Sequence, residues 1–184
     1  MSPIEMLFEL LRREGKTHYG ESAVTQFEHA IQCATLAEQD RASPALITAA
    51  LFHDIGHLVN PGDRAATLRS RDGEHEITGA EHLGQWFGVD VTLPVRLHVP
   101  AKRYLSAVDP AYTANLSSRS ALSLEWQGGP FSSEQVRRFA AAAGAADAIR
   151  LRRWDDGAKR QGAPIRELES FQPYVVASLH NGGK

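Results

Sequence analysis

A single cysteine, Cys33, stands among the 184 residues, so no internal disulfide can hold this chain together and its fold must come from packing. A lone thiol also fits a reducing compartment, which makes the cytoplasm the expected location. No uninterrupted apolar stretch approaches the roughly 20 residues of a membrane span, and no basic segment runs into an apolar one as a secretory leader would. Blocks of Lys and Arg are missing as well. Twenty basic residues against 22 acidic ones leave a formal charge of −2, which argues against nucleic acid as a partner. No run alternates polar and apolar residues as a half-buried strand does, and no internal repeat is visible. What remains is 42% hydrophobic and 23% charged, the composition of a soluble globular domain, and the expectation is one all-α domain over residues 1–184.

The helical pattern is continuous along most of the chain. Ile4, Leu7, Phe8 and Leu11 recur at helical spacing from Pro3 to Arg13, and Glu14-Gly15-Lys16 breaks the run. Residues 23 to 39 place Phe27, Ile31 and Ala34 near one face. Ser43-Pro44 reads as an N-cap followed by proline at the first helical position. The helix it starts carries Leu46, Ile47, Ala50, Leu51 and Asp54 along one face and is expected to end near Gly56. Residues 60 to 73 are polar and rich in turn residues, hence a surface loop. Further helices are expected over 74–87, after Pro94, over 116–125, after Ser132 or Ser133, and over 145–154, with a short one in the tail beyond Gly162.

Within the third helix, Leu51-Phe52-His53-Asp54-Ile55-Gly56-His57 puts adjacent histidine and aspartate where the fold would favour hydrophobic atoms. Burying such groups uncompensated costs several kcal/mol, and a metal ion is the simplest compensation. The alternative is a hydrogen-bonded His–Asp pair. Elsewhere His29, His75, His98 and Asp155 fall in or beside predicted helices. His29, His53, Asp54 and Asp155 suffice for one ion. His75 and His98, with Asp54 as a bridge, would make a second, and imidazole plus carboxylate suits iron, manganese or zinc better than calcium. His18, His82 and His180 read as ordinary helix or loop histidines, and Cys33 as a core thiol.

These stretches resemble the HD-domain superfamily of helical metal-dependent proteins, most of which are phosphohydrolases. They are closer to its small oxygenase branch, the PhnZ-like phosphonate dioxygenases. The resemblance rests on Gln26-Phe27-Glu28-His29, Leu51 to His57, Gly73-Glu74-His75-Glu76, His98 to Leu105 with its Lys102-Arg103-Tyr104-Leu105, Gln127-Gly128-Gly129-Pro130 and Arg152-Arg153-Trp154-Asp155. It implies an HD-domain helical bundle with a mixed-valent Fe(II)/Fe(III) pair and O2 as co-substrate. His29, His53, Asp54 and Asp155 would bind one iron, and Asp54, His75 and His98 the other. His57 and Lys102 match positions that contact the substrate phosphonate, and Ser120, Ser123, Gln127 and Arg152 fall at further pocket positions. Tyr19 matches a tyrosine, on a mobile active-site loop near 16–22, that ligates iron until substrate displaces it.

One departure bears on the substrate. Enzymes acting on 2-amino-1-hydroxyethylphosphonate place a glutamate three residues after this tyrosine to pair with the ammonium. Here Glu21 stands two residues after Tyr19 and Ser22 holds the third position. Either a one-residue gap returns Glu21 to that role, or the substrate nitrogen is trimethylated and has no N–H to satisfy. The resemblance therefore implies O2-dependent carbon–phosphorus cleavage. The substrate would be 1-hydroxy-2-(trimethylammonio)ethylphosphonate, giving glycine betaine and phosphate, or the 2-amino compound, giving glycine and phosphate. The protein is expected to be a monomer or a weak homo-oligomer. An HD phosphohydrolase and a non-catalytic HD module are the rival readings.

Overall fold

A computed structural model describes residues 1–16, 24–59 and 74–180. Among them the regular secondary structure is helical, and Phe87 and Leu179 form an isolated β-bridge. In chain order the helices are α1 (Pro3–Glu14), α2 (Gln26–Gln39), α3 (Pro44–Phe52), α4 (Gly56–Val59), α5 (His75–Leu83), α6 (Val89–Val108), α7 (Pro110–Ala114), α8 (Ser118–Trp126), α9 (Ser133–Ala140) and α10 (Ala145–Gly157). A 3₁₀ turn, Leu168–Phe171, then leads into α11 (Gln172–Ser178). No helix among the described residues is long and apolar enough to cross a membrane.

Local chemistry sets most of the starts. Ser2 and Glu5 close a capping box on α1, and Thr25 and Glu28 close another on α2, so the helix begins at Gln26 rather than at residue 23. Ser43 caps α3 through the amide of Leu46, and Ser117 and Ser132 do the same for α8 and α9.

Several expectations are corrected by packing. Helix α3 is not amphipathic: every residue from Leu46 to Phe52 is buried, because it is the central helix and is covered by α2, α6 and α11. It also stops at Phe52 instead of running to Gly56. Ile55 and His57 bond back three residues, to Phe52 and Asp54, and this tightened turn separates α3 from α4. Helix α6 starts at Val89, so Pro94 and Pro100 lie inside it. Proline there forfeits one backbone bond each, and the fully buried Val91 and Val95 hold the early turns onto the core nonetheless. The helix expected over 74–87 ends at Leu83, where Gly84 caps it. The helix expected to reach 154 continues to Gly157, which keeps Asp155 helical. The loop expected at 60–73 lies outside the described residues.

The main core gathers Leu7, Leu11, Ile31, Leu46, Phe52, Leu151, Phe171 and their neighbours, drawing on helices from α1 to α11. Cys33 is inside it, and burial pushes its thiol pKa well up, so it is a structural, unreactive thiol. A smaller cluster of Ala101, Phe139, Ala145 and Ala148 joins α6, α9 and α10. Between these clusters, α2, the α3–α4 turn, α5, α6 and α10 surround a polar centre.

Candidate di-metal and anion site

Six side chains from five separate elements meet at that centre. Helix α2 contributes His29, the α3–α4 turn His53 and Asp54, the first residue of α5 His75, the middle of α6 His98, and α10 Asp155. All six are buried. The tight turn after α3 is what lets adjacent residues, His53 and Asp54, serve one centre. His53 Nε2 lies 3.5 Å from Asp54 Oδ2.

The tautomers are set by the backbone. His29 Nδ1 pairs with the Ala158 carbonyl at 2.9 Å, His53 Nδ1 with that of Ala50 at 2.9 Å, and His98 Nδ1 with that of Val95 at 2.7 Å. A carbonyl only accepts, so each Nδ1 carries the proton and each Nε2 a lone pair. Those lone pairs converge. His29 and His53 are 3.2 Å apart, Nε2 to Nε2, and so are His75 and His98. Burial lowers the pKa of His53 to about 4.

Asp54 sits between the two pairs with one oxygen for each. Its Oδ2 is 3.7 Å from His29 Nε2 and 3.5 Å from His53 Nε2, and its Oδ1 is 3.3 Å from His75 Nε2 and 3.6 Å from His98 Nε2. Neither oxygen receives a properly aligned hydrogen bond, nor does either oxygen of Asp155. Burial alone would raise the Asp54 carboxyl, yet His53, His75 and His98 around it hold it well below the usual range, so it is a carboxylate. Paired imidazoles and the orphaned buried oxygens of Asp54 fit cations. Two nitrogens about 2.1 Å from one ion and at a right angle would be roughly 3 Å apart. The two triads, His29/His53/Asp54 and Asp54/His75/His98, share the aspartate. Asp155 Oδ1 closes the first, 3.2 Å from His29 Nε2 and 3.9 Å from His53 Nε2.

A cationic wall stands beside this centre. Lys102, one turn beyond His98 on α6, is 2% exposed and donates from Nζ to Ser123 Oγ at 2.7 Å. Burial and the nearby Arg152 lower its pKa to about 7. Ser123 in turn donates to the Ser120 carbonyl, and Ser120 Oγ accepts from Ser117. The ring of His57 stacks on His75, with centroids 3.9 Å apart and 17° between planes, which places it at the edge of the second triad. Gln127 caps α8 and has a buried Oε1 without a hydrogen-bond partner. The turn after it is clamped by Arg103, whose Nε and NH2 donate to the carbonyls of Gly129 and Gly128 at 2.8 and 3.1 Å. Both glycines have positive φ, so the Lys-Arg-Tyr-Leu and Gln-Gly-Gly-Pro stretches are two halves of one contact.

Arg152, expected at a pocket position, is held by two carboxylates and a tyrosine. Its NH1 lies 2.6 Å from Asp155 Oδ2, its NH2 bonds Asp156, and its Nε donates to Asp156 Oδ2 at 2.9 Å and Tyr112 Oη at 3.1 Å. The guanidinium therefore orients Asp155 and neutralises it. Tyr112, Asp156 and Lys159 were not singled out from the sequence. The i+4 spacing of Asp155 and Lys159 was the available signal, and Tyr112, 40 residues from Arg152, gave none. Tyr19, Glu21 and Ser22 lie outside the described residues.

The family model described as the HD domain matches residues 26–120. The chain belongs to the HD-domain family. The model's span takes in His29, His53, Asp54, His75 and His98 but stops short of Asp155. This HD-domain protein is 42% identical, over 97% of its own length and 89% of the relative's, to hydroxymethylphosphonate dioxygenase of Gimesia maris. It is 37% identical, over 94% and 88%, to the glycine-betaine-forming [1-hydroxy-2-(trimethylamino)ethyl]phosphonate dioxygenase of Leisingera caerulea. Both likenesses extend through α10, beyond the span of the HD-domain model.

Proposed function

We propose that the chain is an O2-dependent dioxygenase that cleaves the carbon–phosphorus bond of a small 1-hydroxyphosphonate, with two iron ions as its cofactor. The observation that carries this reading is Asp54 dividing its oxygens between two histidine pairs beside the Lys102 wall, and the two named dioxygenases support it. His29, His53, Asp54 and Asp155 would hold one iron, and Asp54, His75 and His98 the other. Bound there, the mixed-valent pair would supply the one-electron redox chemistry that O2 requires.

The chain's own residues do the rest. Lys102 brings a charge-assisted donor to the phosphonate, and Ser123, Ser120, His57 and Gln127 add neutral polar groups that fix its orientation. Arg152 keeps Asp155 ionised and correctly turned. Burial of the whole centre excludes water, so that oxygenation at C1 is not diverted. The overall change breaks the C–P and one C1–H bond, oxidises C1 to a carboxylate and reduces O2, releasing phosphate. Hydroxymethylphosphonate would give formate, the trimethylammonio compound glycine betaine, and the amino compound glycine.

Hydroxymethylphosphonate joins the two substrates inferred from the sequence because a relative is named for it and because it has no nitrogen to satisfy. The missing glutamate three residues after Tyr19 suits it as well as it suits a trimethylated amine. We read the protein as cytoplasmic, a single domain, and a monomer or weak homo-oligomer. The test is phosphate release from each of the three hydroxyphosphonates by iron-loaded protein, in air and under argon. No phosphate in air from any of them, with two irons bound, sinks the proposal. Phosphate release from a phosphomonoester that continues under argon, with none from the hydroxyphosphonates, would make the chain a phosphohydrolase instead.

A further inference from the structure

Lys159 lies one turn beyond Asp155, just past the end of α10, with its side chain 16% exposed. Its Nζ is 3.3 Å from Asp155 Oδ1, 3.7 Å from Asp156 Oδ1 and 3.5 Å from Ser120 Oγ, the last a long contact. Asp155 Oδ1 is also the oxygen that lies 3.2 Å from His29 Nε2. One carboxylate oxygen thus faces both the ammonium and the convergence point of the first triad.

An oxygen that donates to a metal cation has less charge to offer a second cation, and the metal itself repels the ammonium. Occupation of the first triad therefore weakens the Lys159–Asp155 contact. Arg152 cannot respond in the same way, because its NH1, NH2 and Nε are all tied to carboxylates. Lys159 is a point charge on a flexible stem, and beside Asp155 its ammonium also meets Asp156 and Ser120. Ser120 belongs to the wall that Lys102 and Ser123 form.

On the functional reading above, we infer that Lys159 is a second cationic anchor for the substrate phosphonate, turned toward Ser120 when metal occupies Asp155. Lys102 and Lys159 then bring two positive charges to a doubly charged group from α6 and from the end of α10. Two such donors favour a phosphonate dianion over a monoanion of similar shape.

The test is calorimetric titration of hydroxymethylphosphonate, inorganic phosphate and the monoanion hydroxymethanesulfonate into anaerobic, iron-loaded protein, where no turnover occurs. Wild type, Lys159→Met and Lys159→Arg are compared, with metal content measured on the same samples. Lys159→Met should keep two equivalents of iron and bind both dianions about tenfold to a hundredfold more weakly, the worth of a charge-assisted hydrogen bond. It should bind the sulfonate nearly as before, and Lys159→Arg should recover part of the dianion affinity. Dianion affinities within twofold of wild type would overturn the inference. So would equal losses for dianion and monoanion, or a loss of iron that accounts for the weaker binding. If wild type binds phosphate but no hydroxyphosphonate, the functional reading fails, while the phosphate titrations still decide the role of Lys159.

Discussion

His29 and His53 face each other Nε2 to Nε2 at 3.2 Å, each with its other nitrogen bonded to a backbone carbonyl. Two lone pairs pressed together in a dry interior repel, and His75 and His98 also meet Nε2 to Nε2 at 3.2 Å. Asp54 spans both, so the two halves of the centre are joined by one carboxylate.

Asp54→Ala should therefore cost both metals. Wild-type protein is expected to bind two equivalents of iron, and the variant less than one, by metal analysis after desalting. Retention of one full equivalent would show that Asp54 serves a single ion. Because metal binds the folded form, iron loading should also raise the wild-type melting temperature, and Asp54→Ala should blunt that rise.

Lys102 gives a pH dependence. Its pKa of about 7 in the fold lies below the ordinary lysine value, so unfolding takes up a proton between about pH 7 and 10. The cost of burying the charge is fully present below pH 7 and is relieved as pH rises through that window. Lys102→Met should then exceed wild type in stability at pH 6 by a margin that shrinks toward pH 10, measured by urea unfolding. Binding a phosphonate dianion should favour the ammonium. At pH 8 wild type should take up more protons on binding than Lys102→Met does, as read by calorimetry in two buffers of different ionisation enthalpy.

Removing the Arg152 guanidinium strands two carboxylates. Arg152→Ala should lose about 3–5 kcal/mol of stability, the cost of breaking a buried ion pair from one side. Arg152→Lys should recover little of it, because an ammonium cannot reproduce the fork that meets Asp155, Asp156 and Tyr112 together. Equal stability of Arg152→Lys and wild type in chemical denaturation would refute the multidentate role.

Gly56 is where α4 meets α5. A Cβ there would strike the backbone oxygen of His75 and come within 2.9 Å of the Gly79 nitrogen. Gly56→Ala should push the start of α5 away and displace His75. The expected result is loss of one iron equivalent with the other kept, alongside a lower melting temperature. A variant with two irons and wild-type melting would contradict this account.

The sequence by itself determined the helical class, the capped starts at Ser43 and Ser132, and the polar residues that have no business in a core unless a cation meets them. These are local signals: a side-chain oxygen bonds an amide three residues on, and His53-Asp54 stands out within its own apolar run. It also held the motifs that mark the family, because His29, His53, Asp54, His75 and His98 keep their order and chemistry whatever the packing. Only tertiary structure decided that α3 ends at Phe52, since the competing pulls on that turn come from α4 and α5. Only it decided that α6 runs through Pro94, since burial of Val91 and Val95 outweighs the lost backbone bond. It alone turned one Asp54 oxygen to each histidine pair, set Arg152 onto Asp155 and Asp156, and brought Lys159 beside Ser120, 39 residues away. Those relationships depend on the angle at which helices cross, and no residue encodes a crossing angle alone.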